Sequence, residues 1–291
     1  MFDQIAANRR RSYLLLFCVV LLIVGIGYFL GLYFELGEYA VFPALLFALL
    51  LAWGSYYHSD KIVLSMSGAE PATKDDEPYL LNALEGLSIA AGLPLPRPYI
   101  IEDSAPNAFA TGRDPQHAAI AVTRGLLDKL NRLELEGVIA HEMSHIRNYD
   151  IRFMTLVTVL VGTVMLLSDG MLRNLRYSRR HGSGRKGNPL ALVGLVFIIL
   201  SPIVAKLMQL ALSRQREFLA DATAAQLTRY PEGLAAALEK LAADSEPLEA
   251  ANKATAHMYI INPLTEHKGW ANSLFSTHPS TEERVKRLRE M

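Results

Sequence analysis

The sequence predicts a mainly helical α+β protein with a small β-sheet and four hydrophobic membrane helices. Three observations lead to this fold class: four long apolar runs, helical periodicity in the polar segments, and a few short β-compatible runs close together. The 29 basic and 29 acidic side chains cancel, so the chain lacks the net basic charge typical of nucleic-acid binders, and we expect no nucleic acid among its partners. A single cysteine, Cys18, excludes an intramolecular disulfide framework.

The first two apolar runs are long enough to cross a bilayer. Residues 13–34 and 39–57 carry no charge, and a hydrocarbon core of about 30 Å needs about 20 such residues in a helix. The first run lacks the cleavage site of a secretory signal. Three arginines precede it and two glutamates occupy the connection, which predicts a cytoplasmic amino terminus. We therefore interpret residues 1–57 as a two-helix membrane anchor, with two core helices of a soluble protein as the alternative.

Residues 58–150 have the composition of a soluble segment. Apolar residues recur at helical spacing in 79–91, and the same periodicity returns from Leu126 onward. Between these helical segments, turn residues separate three short runs that favour strands. These runs, 98–101, 107–111 and 118–122, predict the small sheet.

Two further apolar runs, 153–168 and 187–205, predict a second hydrophobic helical hairpin over 151–212. Their connection is rich in arginine and contains no acid, so a spanning hairpin would place positive charge outside, against the usual bias. Two arrangements stay open: a hairpin that spans, and one that enters partly and folds its basic tip back to the cytoplasmic surface. In both, the soluble domain is discontinuous and consists of 58–150 and 213–291.

The pattern H-E-x-x-H occurs in the helical stretch after Leu126, at His141, Glu142 and His145. Two histidines four residues apart project from one helix face and can bind one cation, and the glutamate can act on a water at that cation. This is a zinc-hydrolase signature. The alternative is two solvated histidines on a surface helix. Identification of a third ligand would argue against it.

Glu217 is the predicted third ligand. The extended motif of the metzincins is absent, because Asn148 and Ile151 stand where that motif needs glycine and histidine. Asp221 follows Glu217 by one helical turn, where it can accept the remaining N–H of a ligating histidine. Two imidazoles and one carboxylate leave the fourth position of a catalytic zinc ion to water. The hairpin before Glu217 returns the chain to the membrane level it left, so the two metal-bearing helices would lie side by side. A solvated, charged helix face is the alternative.

The order of these features resembles the HtpX-type membrane zinc metalloproteases, relatives of the CAAX prenyl proteases. The resemblance rests on the order of six features: two apolar helices, N-A-F-A-T-G, H-E-M-S-H, a second apolar pair, S-R-Q-R-E-F-L-A-D and T-H-P-S-T-E-E-R. It implies a zincin-like (gluzincin) catalytic domain that binds one Zn²⁺ through His141, His145 and Glu217. In such a domain Glu142 would be the general base, and Asp221 would support a metal ligand.

The resemblance also implies roles for three residues outside the metal motif. His278 would assist catalysis, Arg284 would lie near the substrate, and Asn107 would contact the substrate backbone at the edge of the sheet. From the residues alone, the default interpretation of both His278 and Asn107 is a turn residue.

The sequence features predict an integral zinc endopeptidase with its catalytic domain facing the cytoplasm, and the resemblance implies that its membrane is the bacterial cytoplasmic (inner) membrane. Its partners would be the lipid bilayer and protein or peptide substrates, and its role would be the quality control of misfolded membrane proteins. One alternative is a peptidase with narrow specificity for lipidated or short peptides. Another is a membrane adaptor or holdase in which zinc only ties two helices together.

Overall fold

The computed structural model describes residues 2–33, 35, 37, 39, 41–180, 213–252, 254–261, 263 and 279–291. The helices of this part are α1 (Phe2–Tyr33), α2 (Val41–Met66), α3 (Pro78–Ala91), α4 (Arg124–Lys129), α5 (Arg132–Arg147), α6 (Asp150–Arg180), α7 (Arg214–Thr228), α8 (Pro231–Ala243) and α9 (Thr281–Arg289). Its strands are β1 (Ala69–Pro71), β2 (Arg97–Ile101), β3 (Ala108–Thr111) and β4 (Ala119–Thr123).

The strands form one mixed sheet in the order β1-β2-β4-β3. β2 and β4 are parallel, and the two outer strands pair antiparallel with them. Successive side chains of a strand point to opposite faces, and in β4 both faces are apolar and buried. Ile120 and Val122 pack into the larger hydrophobic cluster, whereas Ala119 and Ala121 belong to a second cluster on the other face. The sheet is therefore covered on both sides.

Helix α5 runs through the larger cluster and is surrounded by α3, α7, α8 and the sheet. The approach of α8 is very close at Gly137, where an added Cβ would lie 2.7 Å from the backbone nitrogen of Leu234. Glycine is required there because no larger residue leaves room for the neighbouring backbone. The core thus fixes the position of the helix that carries H-E-x-x-H.

Helices α1 and α2 contain the two candidate membrane spans of the described part, Ile5–Tyr28 and Val41–Met66. In each span just 11% of the most apolar window is buried. Large side chains such as Phe17, Phe47 and Trp53 are more than half exposed, which is opposite to the pattern of a soluble core helix. The exposed apolar surface favours the membrane interpretation of the amino-terminal pair.

The described residues contain two candidate membrane spans and not the four expected from the sequence. The first run of the second predicted hairpin lies in α6, where Phe153, Leu156 and Val157 are buried against Leu15 of α1. Met154 and Val159 on the same helix pack against the sheet instead. The start of α6 is therefore enclosed by protein. An apolar run in a sequence does not reveal whether its side chains contact protein or lipid. The run at 187–205 lies outside the described residues.

Candidate metal and catalytic site

Helix α5 places His141, Glu142 and His145 in the protein interior. The helix begins at a capping box, in which the side chain of Asn131 accepts from the N–H of Glu134 and the carboxylate of Glu134 accepts from the N–H of Asn131. All three motif residues are at most 5% exposed. The alternative of two solvated histidines on a surface helix is therefore wrong.

Helix α7 brings Glu217 to the same place. It packs along α5, and its buried face carries Glu217 and Asp221, which are 3% and 2% exposed. The interpretation of this pair as a solvated, charged face is also wrong. The side chains of His141, His145 and Glu217 each offer one ligand atom, and these atoms lie within 4.8 Å of one another.

The spacing of these atoms fits a single small cation. The Nε2 atoms of His141 and His145 are 3.2 Å apart, and the carboxylate of Glu217 lies 3.6 Å from the first and 3.8 Å from the second. Ligand atoms at about 2.0–2.1 Å from a tetrahedral ion are about 3.3 Å from each other. Small adjustments of the side chains would therefore suffice to coordinate zinc.

The far nitrogen of each imidazole faces a carboxylate. Nδ1 of His141 is 2.9 Å from Asp221, and Nδ1 of His145 is 3.1 Å from Asp150. When Nδ1 donates its proton to such a carboxylate, the neutral ring presents a lone pair at Nε2. Two lone pairs and a carboxylate oxygen then converge, and this donor set can hold a cation between them.

The ionisable groups favour positive charge at the same point. Burial lowers the pKa of His141, but hydrogen bonds with Asp221 and Glu217 outweigh burial and raise that pKa to about 9. Burial also raises the pKa of Asp221, yet the charge of Arg284 and the hydrogen bond with His141 bring it down to about 2. A divalent cation would supply the positive charge that a proton on His141 otherwise provides.

Glu142 lies beside the cluster and is 2% exposed. Burial raises the pKa of its carboxyl group, and the neighbouring charges of His141 and His145 partly reverse that increase. The carboxylate accepts a hydrogen bond from the backbone N–H of Ala110 in β3. The edge strand β3 therefore contacts the carboxylate of Glu142.

Arg284 lies behind the metal cluster and not in an open groove. Its Nε and Nη2 donate to the two oxygens of Asp221 at 2.9 and 2.7 Å, and Nη1 donates to the carbonyl of Ile260 at 3.1 Å. Because the side chain is 2% exposed, a substrate contact would require it to leave these partners. In this structure Arg284 holds Asp221, which in turn holds His141.

Replacing Arg284 by alanine is expected to destabilise the protein by about 3–5 kcal/mol, because it leaves Asp221 buried without its charged partner. The measurement is denaturant unfolding of the full-length protein in detergent. Lys286→Ala is the control on the same helix, since Lys286 is 75% exposed and its loss should change stability by less than about 0.5 kcal/mol. Equal stabilities of the two variants would contradict the assigned contact.

Asn107 is buried at the start of β3 and already has partners. Its Nδ2 donates to the carbonyl of Ile261 at 2.9 Å, and the N–H of Ile260 donates to the carbonyl of Ala108 at 3.0 Å. Residues 260–261 therefore occupy the sheet edge where the resemblance implies a peptide substrate. The third residue of that group, His278, lies outside the described residues.

Two polar residues near the cluster were not predicted from the sequence. Asp150, at the start of α6, contacts His145, and Asn8 of α1 donates to Asp150 at 2.6 Å. Asp150 follows His145 by five residues, and this spacing is only a weak indication that the two side chains are in contact. Asn8 is 142 residues away from Asp150 along the chain, and no local pattern indicates such a contact.

Known proteins resemble this chain over its whole length. The profile of Peptidase family M48 matches residues 74–291. "Protease HtpX homolog" of Dictyoglomus thermophilum is 50% identical over 290 residues, covering 100% of this chain and 94% of the relative. A protein of the same description from Tropheryma whipplei is 47% identical over 295 residues, covering 100% of this chain and 98% of the relative.

Among solved structures, the crystal structure of S. mikatae Ste24p has a TM-score of 0.49 and 19% sequence identity to this chain. The alignment covers 99% of this chain and 67% of that one.

Proposed function

The chain belongs to Peptidase family M48 and is a membrane metalloprotease, and we propose that its metal is zinc and that it cleaves internal peptide bonds. The observation that carries this proposal is the convergence of His141, His145 and Glu217 beside the buried carboxylate of Glu142. That set has three ligands and a separate base, which is typical of catalytic and not of structural zinc.

We propose that one zinc ion per chain is held by the two Nε2 atoms and the carboxylate of Glu217. Imidazole nitrogen and carboxylate oxygen are ordinary zinc ligands, and the carboxylates behind both rings fix the required tautomer. When bound, the ion supplies a Lewis acid that polarises the scissile carbonyl and lowers the pKa of water to about 7.

Glu142 is the proposed general base. It would take a proton from the attacking water and pass it to the leaving amine. Its burial raises its pKa and makes proton uptake easier than for an exposed glutamate, and the N–H of Ala110 partly opposes this increase in pKa. His278 is kept as a proposed donor to the oxyanion on the basis of the resemblance.

Asp221 and Arg284 are proposed as positioning residues. Asp221 would hold the tautomer and ring orientation of His141, and Arg284 would keep Asp221 charged and in place through two hydrogen bonds. The contacts of Arg284 support this role better than direct binding of substrate.

Asn107 is the proposed contact for the substrate backbone. An extended peptide can add to an exposed strand edge through main-chain hydrogen bonds. Because the amide of Asn107 is engaged with Ile261, substrate binding at this point would require residues 260–261 to move away from β3. For Asn107 to bind substrate, its hydrogen bond with Ile261 would have to be replaced by one with the substrate backbone.

The proposed membrane arrangement follows the charge asymmetry of the sequence. Residues 1–57 would anchor the protein in the bacterial inner membrane, and the catalytic domain, 58–150 with 213–291, would face the cytoplasm. Residues 151–212 would form the second hairpin and complete four membrane helices around a zincin-like domain. The enclosed start of α6 favours a hairpin whose first turns belong to the catalytic body.

Misfolded or damaged membrane proteins are the proposed substrates, and the role is quality control. An active site directly attached to a membrane anchor is suited to such substrates. The two rivals are a peptidase for lipidated or short peptides and a zinc-stabilised adaptor without turnover. Cleavage of a misfolded membrane protein in preference to a prenylated peptide would support quality control over the first rival.

The test of this function is cleavage of an unfolded protein by the purified full-length chain in detergent. We expect fragments that arise from internal peptide bonds, loss of cleavage with a metal chelator, and recovery on addition of zinc. Mass spectrometry of the fragments distinguishes internal cleavage from trimming of the ends. Bound zinc without any fragments, including self-cleavage fragments, would favour the adaptor.

A further inference from the structure

A second buried carboxylate stands behind the metal cluster, and the first membrane helix holds it. Oδ2 of Asp150 is 3.1 Å from Nδ1 of His145, and Oδ1 accepts a hydrogen bond from Nδ2 of Asn8. We propose that Asn8 and Asp150 form a positioning pair through which α1 sets the orientation of His145 and the affinity for zinc. This inference rests on the proposed zinc site.

The turn between α5 and α6 delivers Asp150 to His145. Helix α5 ends at Arg147, and Tyr149 adopts the left-handed conformation with φ of 59°, which is uncommon for a residue other than glycine. The helical path is interrupted at this residue, and the first residue of α6 lies beside a histidine of α5. Strained backbone of this kind persists where the surrounding contacts hold it in place.

Asn8 stabilises this turn through both N–H donors of its side-chain amide. Nδ2 donates to Oδ1 of Asp150 at 2.6 Å and to the carbonyl of Asn148 at 3.0 Å. A primary amide has two N–H donors, and here both are used on one turn of the catalytic domain. Asn8 is 2% exposed, so water does not compete for these hydrogen bonds.

The side of α1 that carries Asn8 is the side that contacts the catalytic body. Asn8, Ser12 and Leu15 lie at helical spacing and are the buried residues within the described stretch 5–17 of the helix. Leu15 packs against Phe153 and Leu156 of α6. The same face is thus polar near the metal cluster and apolar further into the membrane helix, as a helix that supports both regions requires.

Asp150 also links the two metal-bearing helices. Nη1 of Arg216 lies 3.6 Å from Oδ1 of Asp150, and Arg216 is the residue before Glu217. Asp150 therefore has contacts with α1, α5 and α7, and a displacement of α1 would reach two of the three ligands. Replacing a residue that hydrogen-bonds to a zinc ligand typically changes the metal affinity 10–100-fold.

The experiment measures zinc affinity by competition with a fluorescent chelator. The parent is the full-length protein in detergent with Glu142→Gln, which prevents self-cleavage. We expect Asn8→Ala to weaken zinc binding about 10-fold and Asp150→Ala about 10–100-fold. Because Asn8 acts through Asp150, Asn8→Ala should have no further effect in the Asp150→Ala background. Ser12→Ala, one turn along the same buried face, is the matched control and should leave the affinity unchanged.

Asn8→Asp keeps the shape of the side chain, removes both donors and places a second carboxylate against Asp150. It should weaken zinc binding at least as much as Asn8→Ala, and it tests the pair if the alanine variant fails to fold. Affinities of the Asn8 variants equal to that of Ser12→Ala would overturn the proposal, as would independent, multiplying effects of Asn8→Ala and Asp150→Ala. A parent that binds no zinc would instead overturn the metal site itself.

Discussion

Replacing Glu142 by glutamine is expected to lower the rate of peptide cleavage about 10²–10⁴-fold, which is the usual contribution of a general base. Glutamine keeps the size of the side chain but cannot take the proton of the attacking water. Because Glu142 is not one of the three residues that offer a ligand atom, the variant should still bind zinc. The measurement is the initial rate of cleavage of an unfolded protein at full zinc occupancy.

Glu136→Gln is the matched control for this experiment. Glu136 lies on the same helix and pairs with Arg132 on the protein surface, so the identical chemical change should leave cleavage and zinc content near the parent values. A Glu142→Gln variant that cleaves at the parent rate with zinc bound would refute the role of Glu142. Loss of zinc together with activity would show that the residue supports the metal instead.

Replacing Glu217 by alanine is expected to remove both zinc and activity. The change deletes one of three protein ligands, so zinc affinity should fall by more than the roughly 100-fold limit typical of residues that only support a ligand. Cleavage should then drop below detection at ordinary zinc concentrations. Zinc content by elemental mass spectrometry, measured beside the cleavage rate, separates loss of metal from loss of chemistry.

Gln215→Ala serves as the control, because Gln215 is exposed on α7 two residues before Glu217. It should retain zinc and cleave like the parent. If Glu217→Ala bound zinc as tightly as Gln215→Ala, the ligand assignment would be wrong, and another carboxylate would have to complete the site.

Most elements of the fold follow from local sequence patterns. The observed strands β2, β3 and β4 begin and end within one residue of the predicted runs, and α3 starts one residue before the predicted segment 79–91. One exception is β1, which has three residues and includes a glutamate and a proline, so it shows neither apolar alternation nor β-branched side chains. Its pairing with β2 comes from the tertiary structure.

The three candidate ligands and Asp221 were predictable for a similar reason, whereas the contacts of Asn8, Asp150 and Arg284 with this group were not. Helical spacing brings His141 and His145 to one face, and the helical turn between Glu217 and Asp221 does the same on α7. Asn8 contacts Asp150, and Arg284 contacts His141. The two residues of each pair are more than 140 positions apart along the chain. No periodicity predicts such contacts, and only the packed structure shows that α1 and α9 contact residues of the candidate site.

The most direct test of the central claim is anomalous X-ray diffraction at the zinc absorption edge from crystals of the zinc-loaded full-length protein with Glu142→Gln. We predict one anomalous peak per chain, bonded to Nε2 of His141, Nε2 of His145 and a carboxylate oxygen of Glu217 at about 2.0–2.2 Å, with the fourth position free of protein ligands. A peak at another place, or a fourth protein ligand that closes the site, would contradict a catalytic zinc centre.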